Sequence, residues 1–304
     1  MDCARSRAAR LRSGARALLR RRERSRHLKI ADAHLHLWDA HAHYYPWLSD
    51  RLVAFRYGDY SALPRRYLLE DYRRDAAGWA VERGVHVEAE WDPSEPRGEM
   101  NFIAELRRSH GFPTVAIAQA WLDRDDCAAV LEAQASHAFV RGVRHKPRPG
   151  MMDDARWRAG YRRLAALRLH FELQAPWRQL DEAVRLARDF PETTIVLNHA
   201  GLPSAADLAG WRTAMAQLAV CANVMAKISG LGDLDAAAKR QVILAVIELF
   251  GTRRAMFASN YPVDSLRGTF ADIYRTFDDV TRGCSAAERC DLFHDNAVRI
   301  YRME

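Results

Sequence analysis

The segment IADAHLHLWDA, residues 30 to 40, sets His34 and His36 one residue apart at the end of a run that reads as a β-strand. Successive side chains point to opposite faces of a strand, which predicts Asp32, His34 and His36 on one face and Ala33, Leu35 and Leu37 on the other. Two imidazoles on one face can share a divalent ion or polarise one carbonyl oxygen. Spacing alone leaves metal ligation, direct catalysis and a structural role open.

Polar residues of the same kind close the other strand-like runs. GVHVEAEW alternates Val85, Val87 and Ala89 against His86, Glu88 and Glu90, which predicts the apolar set against helices and the glutamates turned inward, with Trp91 beside them as a substrate contact. FVRGVRHKPRP ends in Arg144, His145 and Lys146; VLNHAG carries Asn198 and His199; VMAKISG sets Lys227 and Ser229 on one face; MFASNYPVD runs through Asn260 to Asp264. A guanidinium forks bidentately onto a carboxylate, so Arg144, with Lys227 or His145, is expected to hold an anionic group. Charges gathered at one end of a sheet are costly to desolvate unless paired or wet, which predicts a solvated functional cleft. The remaining histidines, His27, His41, His43, His86, His110, His137, His170 and His294, are read as structural.

The elements that must position these groups follow from periodicity. Strand-like runs at 29–35, 84–90, 115–121, 139–145, 169–174, 194–199, 223–229 and 255–260 alternate with segments of helical apolar spacing. Asp153 and Asp207 are placed to cap helices, and Pro176 separates strand from helix. Eight strand and helix units with short connections predict a single-domain α/β fold, a (β/α)8 TIM barrel over residues 28–304. An open doubly wound sheet is the alternative, but no glycine-rich phosphate loop follows a strand. The first connection, residues 37 to 80, is long and aromatic and reads as a lid or pocket wall.

Ten arginines against Asp2 and Glu23 crowd residues 1–27, so the net charge of +7 belongs to that extension and the rest is near neutral. Such a segment, disordered or helical, fits a floppy tail better than a nucleic-acid arm, and no apolar stretch follows it to make a secretory signal. Five scattered cysteines without CxxC spacing point to reduced thiols and a cytoplasmic protein. No run is long and apolar enough to predict a membrane helix.

Taken in order, DAHLHLWD, PWL, YLLEDYRRD, VHVEAEWDP, RGVRHKP, LQAPWRQL, TTIVLNHAGLP, VMAKISGLG and FASNYPVD resemble the amidohydrolase-related branch of the amidohydrolase superfamily. More closely, they resemble its group of fuconolactonases, rhamnonolactonases and 2-pyrone-4,6-dicarboxylate lactonase. The resemblance implies a hydrolase that opens a lactone of a sugar acid or a carboxylated pyrone-like compound, in carbohydrate or aromatic catabolism. It implies that His34, His36 and His199 polarise the carbonyl, with one divalent ion such as zinc or with none. It also implies that Arg144 anchors the substrate. Where many relatives carry an aspartate, this chain has Asn260, which cannot take a proton from water at neutral pH and is a weak zinc ligand. Asp264 or Glu90 is then the expected base. A metal-dependent decarboxylase or amide hydrolase is the rival reading. The expected partner is a small anionic or polyhydroxylated molecule, within a possible homo-oligomer.

Overall fold

The computed structural model describes residues 28–50 and 53–303; the basic extension, with Cys3, lies outside them. Eight strands form one parallel sheet in sequential order. They are β1 (Lys29–Leu35), β2 (Ala80–Val87), β3 (Val115–Gln119), β4 (Val140–Arg144), β5 (His170–Leu173), β6 (Ile195–Leu197), β7 (Val224–Ile228) and β8 (Ala255–Phe257). The sheet closes where Leu35 bridges Tyr261: His36 N donates to Tyr261 O and Asn260 N to His34 O, both at 2.8 Å. The predicted (β/α)8 barrel is therefore the fold. β2 begins four residues before its predicted start and ends at Val87, because Glu90 turns the backbone left-handed at φ +58°.

A main outer helix follows each strand, with short helices besides at Pro46–Ser49, Ala286–Cys290 and Asn296–Ile300: α1 (Leu69–Asp75), α2 (Gly98–His110), α3 (Cys127–Ala135), α4 (Ala155–Ala166), α5 (Leu180–Asp189), α6 (Leu208–Ala219), α7 (Ala236–Phe250) and α8 (Phe270–Val280). Asp207 caps α6 as expected, accepting from Gly210 N at 2.8 Å. Asp154, and not the expected Asp153, caps α4: its extended backbone aims the carboxylate at Trp157 N, while Asp153 lies in the preceding turn and pairs with Arg185.

Two apolar layers hold the barrel. Residues such as Leu35, Ala116, Val143, Phe171, Leu197, Ile228 and Phe257 pack outward against the helices. Ala31, Ala33, Val85, Val87, Ile117, Val196 and Met256 form a second cluster with Ile300, Tyr301 and Met303 of the C-terminal segment. Arg141 on β4 donates to Tyr301 O, so this segment covers the N-terminal mouth and leaves the opposite end for chemistry.

Two side-chain placements depart from simple alternation. In β2, Val85 and Val87 belong to the interior cluster, and His86 points outward to Glu99 of α2 at 3.2 Å. The predicted inside and outside are thus exchanged for Val85, His86 and Val87, while Glu88 and Glu90 turn to the mouth as predicted. In β1, three steps from Asp32 to Leu35 pair with only two from Gly84 to His86, a bulge that breaks the period of two. Asp32 consequently leaves the histidine face and accepts from Tyr72 on α1 and from Ser259, tying β1 to the exit of β8.

Candidate active site

The bulge gives β1 the geometry its sequence only suggested. His34 and His36 meet with their Nε2 atoms 3.2 Å apart, and the His34 and His199 ring centroids lie 4.6 Å apart. A carbonyl only accepts, so the 2.7 Å contact between His36 Nδ1 and Val87 O puts a proton on Nδ1 and a lone pair on Nε2. His34 must then donate from its own Nε2, which leaves its buried Nδ1 without a partner. His199 is held through Nδ1 by the Ser229 hydroxyl at 2.9 Å.

His36 and His199 line a cavity of about 320 Å³ at the C-terminal mouth, walled also by Asn260, Arg144, Glu90 and residues of the long first connection, with His34 buried behind them. Among the described residues, Glu90, His199, Leu202 and Asn260 all carry φ between +53° and +58° and all line this cavity. Left-handed backbone is disfavoured for residues with a Cβ, and here it turns successive side chains toward one point.

Trp47, Phe55 and Arg56 enter from the 37–80 connection, which is a pocket wall as expected. None of the three was singled out in the sequence. Their stretches, PWL and FRYGDY, were visible, but nothing local reports which side chains of a long loop turn inward. A second, polar chamber of about 410 Å³ shares Glu90, Arg144 and Lys146 with the first. The ion pair between Lys146 and Glu90 stands between the two.

Several expected site residues lie elsewhere. Asp264 is behind the wall: it accepts from Asn260 Nδ2 at 2.7 Å and Tyr57 OH at 2.8 Å and faces a separate 70 Å³ void. Lys227 is fully buried in the barrel, 2.8 Å from Glu172, whose other oxygen accepts from Tyr301. It lines neither chamber. Trp91 packs among His43, Tyr45 and Phe102, away from the cavity. His145 lines only the polar chamber, its Nδ1 accepting from Leu122 N and Trp157 Nε1. Arg144 is at the cavity, but its guanidinium is engaged by Glu88 and by Gln174. Glu90 is likewise at the cavity, bonded to Lys146.

Burial sets the protonation of this site. Desolvation holds His34, His36 and His199 well below the usual histidine range, reinforced at His34 by Lys227, at His36 by Arg144 and at His199 by Arg56. All three are neutral at physiological pH. Burial pushes the Asp264 carboxyl up, opposed by Arg56 and by its two hydrogen-bond donors. Lys146 pulls Glu90 below the ordinary carboxylate range against a desolvation penalty.

Whether these residues suit a metal follows from the donor set. The 3.2 Å between two imidazole nitrogens matches the roughly 3.3 Å expected for two ligands on one tetrahedral zinc. Against that, no group of three His, Cys, Asp or Glu side chains among the described residues is arranged to hold an ion. An amide stands at 260, and the neighbouring charges on His34 and His199 come from Lys227, Arg56 and Arg144. Three neutral imidazoles could hold a divalent ion, and the amide at 260 and the cations beside His34 and His199 would weaken its hold.

A family model described as amidohydrolase matches residues 31–303. The chain belongs to the amidohydrolase family. An uncharacterised protein of Sinorhizobium fredii is 37% identical to this amidohydrolase over 294 residues, covering 91% of this chain and 99% of that one. L-fucono-1,5-lactonase of Burkholderia multivorans is 27% identical over 283 residues, covering 85% of this chain and 91% of the lactonase. The crystal structure of an amidohydrolase of Burkholderia multivorans with bound zinc superposes with a TM-score of 0.79 at 26% identity, covering 90% of this chain and 99% of that one. Among the described residues no helix of this amidohydrolase is long and apolar enough to cross a membrane.

Proposed function

We propose that this amidohydrolase opens a lactone, the cyclic ester of a sugar acid or of a carboxylated pyrone-like compound, by attack of water. The reading is carried by one observation: His36 and His199, both neutral, face a cavity whose wall also holds cations. Similarity to an L-fucono-1,5-lactonase supports the ester class. A lactone is activated enough that one base and one electrophile serve, so a divalent ion is optional for this reaction.

In this mechanism the attacking water displaces the His34 N–H from the His36 Nε2 lone pair and gives that nitrogen its proton, and the bond from His36 Nδ1 to Val87 O steadies the imidazolium that forms. The water oxygen bonds to the lactone carbonyl carbon. His199, oriented by Ser229, donates to the carbonyl oxygen as it becomes an oxyanion, and the positive field of Arg144 adds to that stabilisation. The ring C–O bond then breaks, and the leaving oxygen recovers the proton from His36. Asn260, whose amide nitrogen is committed to Asp264, has its oxygen left to orient the water. Asp264 and Glu90 are relieved of the base role, the first by position and the second by its bond to Lys146. The rival metal-dependent decarboxylase or amide hydrolase needs a carboxylate among the ligands, and Asn260 argues against it.

The test is turnover of a panel of aldonolactones and pyrone carboxylates by the purified chain, with metal content measured and with a chelator present or absent. Ring opening that survives chelation and falls by about 10²-fold or more in His36→Asn and His199→Asn is the expected result. No turnover of any lactone sinks the reaction class.

A further inference from the structure

Among the described residues three cations line the main cavity, and their partners set them apart. Arg144 is committed to Glu88 and Gln174, and Lys146 to Glu90. Arg56 has no carboxylate at ion-pair distance among the described residues; it donates to the backbone oxygen of Gly230 and lies 4.5 Å over the Tyr57 ring. A guanidinium has five N–H donors, so most of this one remains available to an incoming anion. Its place is fixed by a close approach: a Cβ on Gly230 would lie 2.9 Å from Arg56 Nη1 and 2.8 Å from His199 Nδ1. Arg56 and His199 thus stand side by side over one glycine.

The same connection supplies a flat apolar surface. Trp47 and Phe55 stack with ring centroids 6.0 Å apart and 16° between planes, and both line the cavity with Arg56. A planar ring meets such a wall over its whole face, whereas a puckered ring touches it at fewer atoms. We infer that Arg56 is the specificity-determining residue of this site, holding the carboxylate or equivalent anion of a planar lactone whose ring lies against Trp47 and Phe55. The inference rests on the reading of this cavity as a lactone site and narrows it to flat, anionic substrates.

Calorimetric titration of the full chain with coumarin-3-carboxylate and with coumarin, flat lactones that differ in the charged group, measures the effect directly. The parent is expected to bind the carboxylate about 10- to 100-fold more tightly than the neutral probe. Arg56→Met should abolish that preference while leaving coumarin affinity unchanged, and Arg56→Lys should restore part of it. If Arg56→Met does not fold, as judged by its melting transition, Arg56→Gln carries the same comparison. The inference is overturned by a parent without preference, by a ratio that survives substitution, or by equal loss for both probes. The titrations are made on the His36→Asn background, so binding is read without turnover, and failure of the parent to hydrolyse any lactone would remove the proposed reaction and leave the role of Arg56 standing.

Discussion

Asn260 donates its side-chain amide to Asp264 at 2.7 Å, which places the carboxylate at the exit of β8 one layer behind the cavity wall. Tyr57 donates to the same oxygen at 2.8 Å, so the arrangement suits an amide at 260 and a charge at 264. Asn260→Asp would set two carboxylates face to face, and like charges at that separation cannot both ionise freely. The variant is expected to lose about 2–3 kcal/mol of stability in chelator. Zinc should restore it, since the new carboxylate completes a set with His34 and His36. Melting curves with chelator and with zinc check this; a variant as stable as its parent, or indifferent to zinc, would falsify it.

Asp264→Asn separates a positioning role from a basic one. Loss of the base in a hydrolysis of this kind costs about 10²- to 10⁴-fold in rate. Loosening Asn260 and Tyr57 should cost only about tenfold in kcat/KM, about 1.4 kcal/mol. Tyr57→Phe, which removes one of the same two donors, should fall in that smaller range. A collapse of kcat in Asp264→Asn with KM unchanged would return the base role to this carboxylate.

Lys227 and Glu172 form a fully buried ion pair in the barrel interior, far from solvent. Removing one partner leaves the other charge uncompensated, at a cost of about 3–5 kcal/mol. Urea unfolding should show that loss in Lys227→Met. Lys227→Met combined with Glu172→Gln should recover a large part of it. A single variant of parental stability but raised KM would instead restore Lys227 to substrate binding.

His170 on β5 is buried beside Tyr301, and desolvation with help from Arg302 lowers its pKa to about 3. In the unfolded chain the same group protonates near the ordinary histidine value of about 6.5. Between those values the unfolded state binds the extra proton, so stability is fully present above about pH 6.5 and is lost as pH falls toward about 3. From about pH 7.5 to 5.5 the parent should lose about 1.4 kcal/mol more than His170→Phe by urea unfolding. Equal losses would exclude His170 as a source of acid sensitivity.

The barrel was legible because each of its eight units repeats one local rule, β-branched or alternating strands followed by apolar helical spacing. Strand ends were legible for the same reason, and His34, His36, His199, Arg144, Glu90 and Asn260 all do meet at the mouth or its edge. Alternation misled at β1 and β2, where a bulge and an early strand end reverse which side chains face inward. Trp91, Lys227 and Asp264 had the right chemistry at the right ends of strands but the wrong depth. Depth depends on contacts such as Lys227 with Glu172 and Tyr57 with Asp264, which join residues far apart in the chain.

What the sequence by itself determined is the set of groups and their order along the barrel, since periodicity and residue type are local properties. Only the tertiary structure decided which of them share one cavity. It set the Nδ1–H of His36 against Val87 O and left a lone pair on Nε2, drew Asn260 between Asp264 and the cavity, and brought Arg56 from a long connection to stand beside His199. The first and last of those relationships cross between strands or loops separated in the chain, and in all three hydrogen-bond direction and burial, and not spacing, fix the chemistry.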